Sequence, residues 1–378
     1  SMYAMDNLVH SFSLDLNSRL SEKLSNQLLA TFSKLDDVRF TNSSEFPFID
    51  ILDGTNTTGN YMALGYELFT WNNAVHNTIW NIKDDATYYL GEHKITGGLS
   101  FEHQIADNQY MRNGTGYYRY SSVDDFISGA APEIVCLTYG YNGESSPAAR
   151  VQFNKGGIYA QDDWQVTDKL KVTYGIRFDG LFFNNSDLMT NQAIYNLDYS
   201  GRHIDTGKWP SSNLIISPRV GFTYDVFGDK TLKVRGGSGL FSGRLPLVFF
   251  TNMPTNGGMV QYQAQINAAS AQKNKFSMNE CAGGLVTDAN GKATTAALYD
   301  KLVSLGYPST VKPEDGTIPS SISAVDPNFK MPQVWKTSLA VDYIIPVSFP
   351  LSVTVEGIFN KTINGVCMSD WSIPSVGG

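Results

Sequence analysis

The chain has 378 residues, of which 17% are charged and 12% aromatic, and its formal net charge at pH 7 is −8. That acidic balance argues against a nucleic-acid partner, because phosphate binding asks for a basic surface. The charged fraction lies below the roughly 25% of an average soluble protein, and no run of about 18 apolar residues offers a membrane helix.

The predicted elements are strands of two-residue period, whose side chains point alternately to opposite faces. The first hairpin spans 10–35. Phe12, Leu14 and Leu16 alternate with Ser13, Asp15 and Asn17; the turn is Ser21-Glu22-Lys23; and Leu28, Ala30 and Phe32 repeat the alternation on the return. A long connection follows, with Asp53-Gly54-Thr55-Asn56-Thr57-Thr58-Gly59-Asn60 at its tip. Its oxygens and glycines loosely resemble a calcium loop, but the closing Glu of an EF-hand is missing, so a polar surface loop is expected.

The second hairpin, 71–106, turns at Gly91-Glu92 and sets Ile95, Leu99 and Phe101 against Thr96, Gly98, Ser100 and Glu102. A second long connection, rich in Tyr, Gly and Asn, runs to about residue 149 and holds a stretch able to pair within it, 134–141. The third hairpin, 151–183, turns at Thr167-Asp168-Lys169 and carries the cleanest alternation. Leu170, Val172, Tyr174, Ile176 and Phe178 face one side, and Lys171, Thr173, Gly175, Arg177 and Asp179 the other.

The fourth hairpin, 213–247, turns at Gly228-Asp229-Lys230. Val220, Phe222, Tyr224 and Val226 are expected outward there, and Arg219, Gly221, Thr223 and Asp225 inward. In the longest connection, 250–330, Ala297, Leu298, Leu302 and Leu305 fall at helical spacing and predict a short surface helix over 294–305. The fifth hairpin, 331–364, turns at 346–350. It sets Trp335, Thr337, Leu339, Val341, Tyr343 and Ile345 against Lys336, Ser338, Ala340 and Asp342.

Every short turn falls on one side and every long connection on the other. Strands of about 10–16 residues exceed the usual 5–6 of globular sheets and suffice to cross a bilayer when tilted. The pattern predicts an all-β fold, an antiparallel transmembrane β-barrel of about ten strands with long extracellular loops, with 1–378 as part of one barrel domain. A soluble β-sandwich would mix short and long loops at both ends.

Several strands carry a family likeness. Gly157-Ile158-Tyr159-Ala160-Gln161-Asp162-Asp163-Trp164 followed by Leu170 to Asp179 resembles the "YxQDxW…L…YGxRxD" hairpin of TonB-dependent outer-membrane receptors. Ser217-Pro218-Arg219-Val220-Gly221-Phe222-Thr223-Tyr224 resembles their "SPRxGFxY" strand, and Leu232-Lys233-Val234-Arg235-Gly236-Gly237-Ser238-Gly239-Leu240-Phe241 their "xxRGGxGxF". Gly243-Arg244-Leu245-Pro246, with Asn252 and Asn256-Gly257-Gly258, points to the Oar-like group of Bacteroidetes.

The resemblance implies a Gram-negative outer-membrane transporter, embedded in outer-membrane lipid, that binds a large solute at its outer loops. It also implies import through a barrel of about 22 strands closed by a plug, with a TonB complex and possible surface lipoprotein as partners. The chain departs from that pattern: it shows no plug or TonB-contacting segment and about ten strands. Ser1-Met2-Tyr3-Ala4-Met5-Asp6 lacks the basic start and apolar run of a signal peptide, and Pro374-Ser375-Val376-Gly377-Gly378 falls where a loop is expected. The expectation is an internal barrel fragment without its plug. A passive porin or adhesin-like barrel is the alternative.

Candidate site residues follow from the faces. Arg177, Arg219, Arg235, Lys171, Lys233, Glu102, Asp342 and Glu356 are expected to face the lumen or a plug, or else to form cross-strand ion pairs. An Arg fork suits the carbonyls and carboxylates of a plug. Tyr117, Tyr118, Tyr120, Tyr139 and Tyr141, clustered in a loop, are expected as aromatic anchors for the cargo. Trp164, Tyr159, Tyr174, Tyr224 and Phe222 are expected in interfacial girdles.

No catalytic site or cofactor is expected. Nothing resembles a nucleophile elbow, and Gly236, Gly237 and Gly239 lack the Lys-Ser/Thr and helix of a phosphate loop. Cys136, Cys281 and Cys367 have no metal spacing, and His10, His76, His93, His103 and His203 show no close pairing.

Overall fold

The computed structural model describes residues 3–55, 60–244, 246–267 and 278–372. Its strands, in chain order, are β1 (Ala4–Arg19), β2 (Leu24–Phe40), β3 (Phe48–Leu52), β4 (Asn60–Leu64), β5 (Ala74–Leu90), β6 (His93–Gln109), β7 (Tyr117–Tyr120) and β8 (Ile134–Gly140). They continue with β9 (Ala149–Thr167), β10 (Leu170–Phe183), β11 (Leu214–Asp225), β12 (Leu232–Ser242), β13 (Gln261–Asn267), β14 (Gln333–Ile345) and β15 (Leu351–Asn364). Among the described residues four α-helices intervene: α1 (Val123–Ser128), α2 (Gln192–Tyr195), α3 (Val248–Thr255) and α4 (Thr295–Ser304).

Ten strands form one sheet in the order β1-β2-β5-β6-β9-β10-β11-β12-β14-β15. All neighbours are antiparallel, so each pairs with its predecessor in the chain or across a long connection. Among the described residues the edge strands β1 and β15 do not pair with each other. The first strands run longer than their apolar pattern. β2 continues through Asp36, Asp37 and Arg39, because the backbone ladder with β1 does not depend on side-chain polarity.

The fourth hairpin stops short of the predicted limit. β12 ends at Ser242, and Leu247 instead sits at the N-cap of helix α3, just after Pro246, which has no N–H to give a ladder.

Register fixes two faces. Leu28 stands opposite Leu16 and Asp84; Asp84 opposite Leu99; Leu99 opposite Ile158; Ile158 opposite Phe178; and Phe178 opposite Ile216. This row and its parallels carry most of the large apolar side chains exposed on the sheet, among them Phe12, Trp80, Ile82, Phe101, Val220, Leu339 and Val355. An uncovered apolar face on a sheet of this length is a surface for lipid. The opposite face is polar and holds small residues.

The long connections do not hang free. Those between β2 and β5, β6 and β9, and β12 and β14 combine into a second sheet, ordered β13-β8-β7-β3-β4, with β3 and β7 parallel. Its core contains Ile49, Ile51, Tyr118, Tyr120, Val135, Leu137, Ile266, Leu298 and Leu302. Helix α4 is capped by the Thr294 hydroxyl, which accepts from the Ala297 N–H at 3.1 Å. Spaced by one turn, Leu298 and Leu302 are fully buried, so this helix is part of a core rather than a surface addition.

A second cluster fastens this cap to the polar face of the large sheet. Phe250 and Met253 of α3, with Trp209, pack on Val151 and Phe153 of β9 and Leu181 of β10. The polar face therefore lies under the cap and is the inner face.

Candidate functional site

The inner wall is organised around glycines that leave room for side chains to lie flat across the strands. A Cβ on Gly98 would come within 2.3 Å of the Tyr159 ring and the Asp85 carboxylate; one on Gly157 would come within 2.4 Å of the Arg177 guanidinium. In these seats the Tyr159 hydroxyl donates to Asp85, and Lys83 meets Asp85 at 2.6 Å. Arg177 grips Asp179 at 2.7–3.0 Å, donates to the Ser100 hydroxyl at 2.6 Å, and lies 4.9 Å from the Tyr159 ring centroid. Four strands, β5, β6, β9 and β10, are tied together by this network.

A second network joins β12, β14 and β15. Arg235 meets Asp342 at 2.9 Å and Glu356 at 3.7 Å, and the Thr354 hydroxyl donates to Asp342 at 2.7 Å. The structure thus brings together three of the sequence-predicted residues, Arg235, Asp342 and Glu356. Lys171 stands apart, 3.9 Å from Asp163. Glu102 is buried and paired with Arg244, which reaches it from the segment after β12. Arg219 lies 4.6 Å from the Phe241 ring centroid. Lys233, opposite Asp342 on β14, shares the same face.

Sequence reasoning placed Asp179 on the charged face without making it a site residue, and it did not single out Tyr159, Lys83, Asp85, Arg244 or Phe241 as wall residues. Residue parity within each strand was the signal for all but Arg244. Tyr159 is a correction: with Asp163 and Gly157 on β9, it faces inward, so it belongs to the wall and not to a girdle. Trp164, Tyr174, Tyr224 and Phe222 lie on the outer face, where Trp164 stacks on His93 with ring centroids 5.2 Å apart.

The five loop tyrosines are also a correction. Tyr117, Tyr118, Tyr120, Tyr139 and Tyr141 are each at most 9% exposed, and a ring closed off by its neighbours presents no face to a cargo. Tyr118, Tyr120 and Tyr139 fill the cap core. The hydroxyls of the others are spoken for: Tyr117 donates to Asp50 at 2.8 Å, and Tyr141 to the Gly258 carbonyl at 3.1 Å. Burial pushes the Tyr120 and Tyr141 hydroxyls up to about 12 and raises those of Tyr117, Tyr118 and Tyr139 further.

Cys136 and Cys281 are buried free thiols in the cap, pushed up to about 12 by desolvation, and Cys367 is exposed and free. Residues 56–59 of the polar loop tip, the terminal 374–378 and Leu245 lie outside the described residues. At that tip Asp53 accepts from the Thr55 N–H at 2.9 Å, a local turn. Among the described residues no group of three or more His, Cys, Asp or Glu side chains is placed to hold a metal.

A family model described as an outer membrane beta barrel domain matches residues 4–359. No curated protein matches the chain. Among solved structures, the outer membrane transporter YddB from Escherichia coli is 12% identical with a TM-score of 0.50, covering 91% of this chain and 33% of that one. The copper transporter OprC is 11% identical with a TM-score of 0.46, covering 94% and 40%. The ferric-catecholate import receptor Fiu from E. coli K12, in its closed form, is 12% identical with a TM-score of 0.44, covering 93% and 40%. The chain spans about a third of YddB, and at such identity the likeness concerns the fold. The two-faced sheet and the match over nearly its whole length agree: the chain belongs to the outer membrane β-barrel domain family and resides in the outer membrane of a Gram-negative bacterium.

Proposed function

We propose that the chain forms part of the wall, and the outer cap, of a TonB-dependent transporter of the Oar-like group. A large solute binds on the outer surface of the cap and is imported through a lumen closed by a plug. The observation that carries this reading is the pairing of a lipid-compatible outer face with an inner face of fixed charges and glycine seats, roofed by a cap packed directly on the wall. A plug needs such a wall: charged groups held at set positions, with bare strand between them where another backbone approaches closely.

The inner residues Arg177, Arg219, Arg235, Lys171, Glu102, Asp342 and Glu356 supply the contacts to plug and solute. Cargo contact falls to exposed cap side chains, Tyr61 and Met62 on the edge strand β4 among them, because the clustered tyrosines are closed off. The partners are outer-membrane lipid, a TonB complex acting through the plug, and a surface lipoprotein that delivers the solute.

The test is uptake by cells producing the protein, measured over a panel of peptides, glycans and chelated metals, with and without a protonophore and with and without TonB. Uptake of one solute class that disappears in both deprived conditions supports the reading. Uptake that continues without either would instead assign a passive porin.

A further inference from the structure

Arg219 differs from Arg177 and Arg235 on the inner wall. Arg177 and Arg235 each meet a carboxylate there, whereas Arg219 makes no ion pair among the described residues. Its guanidinium carbon sits 4.6 Å from the Phe241 ring centroid, and the Lys336 ammonium 5.9 Å from the same ring. Lys336 likewise makes neither an ion pair nor a hydrogen bond among the described residues. Gly239 stands opposite Arg219 on one side and Lys336 on the other, so two positive charges flank one glycine.

The wall beside them is bare. Gly221 and Gly237 stand opposite each other on the same face, and a Cβ on either would meet only strand backbone, at 3.4 and 3.2 Å.

We propose that Arg219, Lys336 and Phe241, with the glycine floor beside them, form a lumenal subsite for a carboxylate carried on an extended peptide segment. Two like charges drawn to one ring repel each other until an anion joins them. The Arg fork binds both oxygens of a carboxylate, Lys adds a point charge, and the ring face holds both cations in place. The strand backbone of the floor is committed to its ladder, so it offers close contact without hydrogen bonds and takes a slender chain. Selection therefore rests on the carboxylate. The inference rests on the transporter reading for its place in the transport path, and the segment comes either from the plug or from a peptide solute.

The test is calorimetric titration of the 378-residue chain in lipid nanodiscs with acetyl-Gly-Glu-Gly-amide and its Gln counterpart. Saturable binding of the Glu peptide is expected, about tenfold or more tighter than the Gln peptide, as befits a charge-assisted contact. Lys336→Gln and Arg219→Gln should each lose about tenfold, and Lys336→Arg should retain binding. Lys336→Gln guards against misfolding, since that side chain holds no other partner. Equal binding of the two peptides, no saturation, or an unchanged affinity in Lys336→Gln overturns the subsite. Repeating the titration on the protein with its plug distinguishes the sources: weakened binding marks a subsite filled from within, and equal binding one open to solute. Loss of the subsite with energy-dependent uptake intact leaves the transporter reading standing, and the converse leaves the subsite standing.

Discussion

The Tyr174 hydroxyl donates to the Asp162 carboxylate at 2.9 Å, from β10 to β9 and on the face that meets lipid. The same carboxylate oxygen receives the His93 Nδ1 at 2.7 Å, from β6. A carboxylate on an apolar wall is costly unless neighbours satisfy it, and Asp162 is only 8% exposed beneath them. The contact fastens three strands near the short-turn side and accounts for two residues of the hairpin motif.

Removing that acceptor should therefore cost more than removing one donor. Asp162→Ala is expected to lower the temperature of barrel unfolding in detergent, read by gel mobility, by more than Tyr174→Phe does. A double variant of Tyr174→Phe with Asp162→Ala should be no worse than Asp162→Ala alone. Additive losses would show that the two side chains act separately.

Adjacent glycines give a matched control. Gly156 has nothing within 4 Å of a built Cβ, whereas Gly157 would collide with Arg177, Asp179 and Ser100. Gly157→Ala should destabilise the barrel by about 1–3 kcal/mol, as overpacking does, while Gly156→Ala should be nearly neutral. Urea unfolding in lipid vesicles measures both, and equal effects would remove the seat argument.

Arg244 holds the start of the cap's largest segment to Glu102 on the wall. Arg244→Ala leaves a buried carboxylate without its cation, at a cost of about 1–3 kcal/mol. Hydrogen exchange in α3 should accelerate, and Glu102→Gln in the same background should restore part of the protection. Unchanged exchange would mean that the hydrophobic cluster of Phe250 and Met253 holds the cap alone.

Alkali should loosen the cap before the wall. Buried tyrosines with raised values hold their protons more tightly folded than unfolded, so their contribution is complete below the unfolded value of about 10. It is lost as pH rises through the folded values, which are about 12 for Tyr120 and Tyr141. Tyrosinate absorbance should therefore rise late, together with loss of cap structure, while the ten-stranded sheet persists. Tyr120→Phe should diminish that alkaline loss.

The sequence by itself determined the wall. Two-residue alternation in segments such as Lys171 to Phe178 sets which side chains share a face, and short turns such as 167–169 fix which strands are neighbours. Both are local properties of the chain. Only the tertiary structure decided which groups meet. His93 reaches Asp162 across 69 residues and Arg244 reaches Glu102 across 142, distances at which local pattern carries no information. The cap was hidden for the same reason. Its strands β3, β4, β7, β8 and β13 have 4–7 residues each and come from three separate connections. None buries its apolar side alone, so Tyr118, Tyr120 and Tyr139, which looked like exposed anchors, became part of the core that joins them.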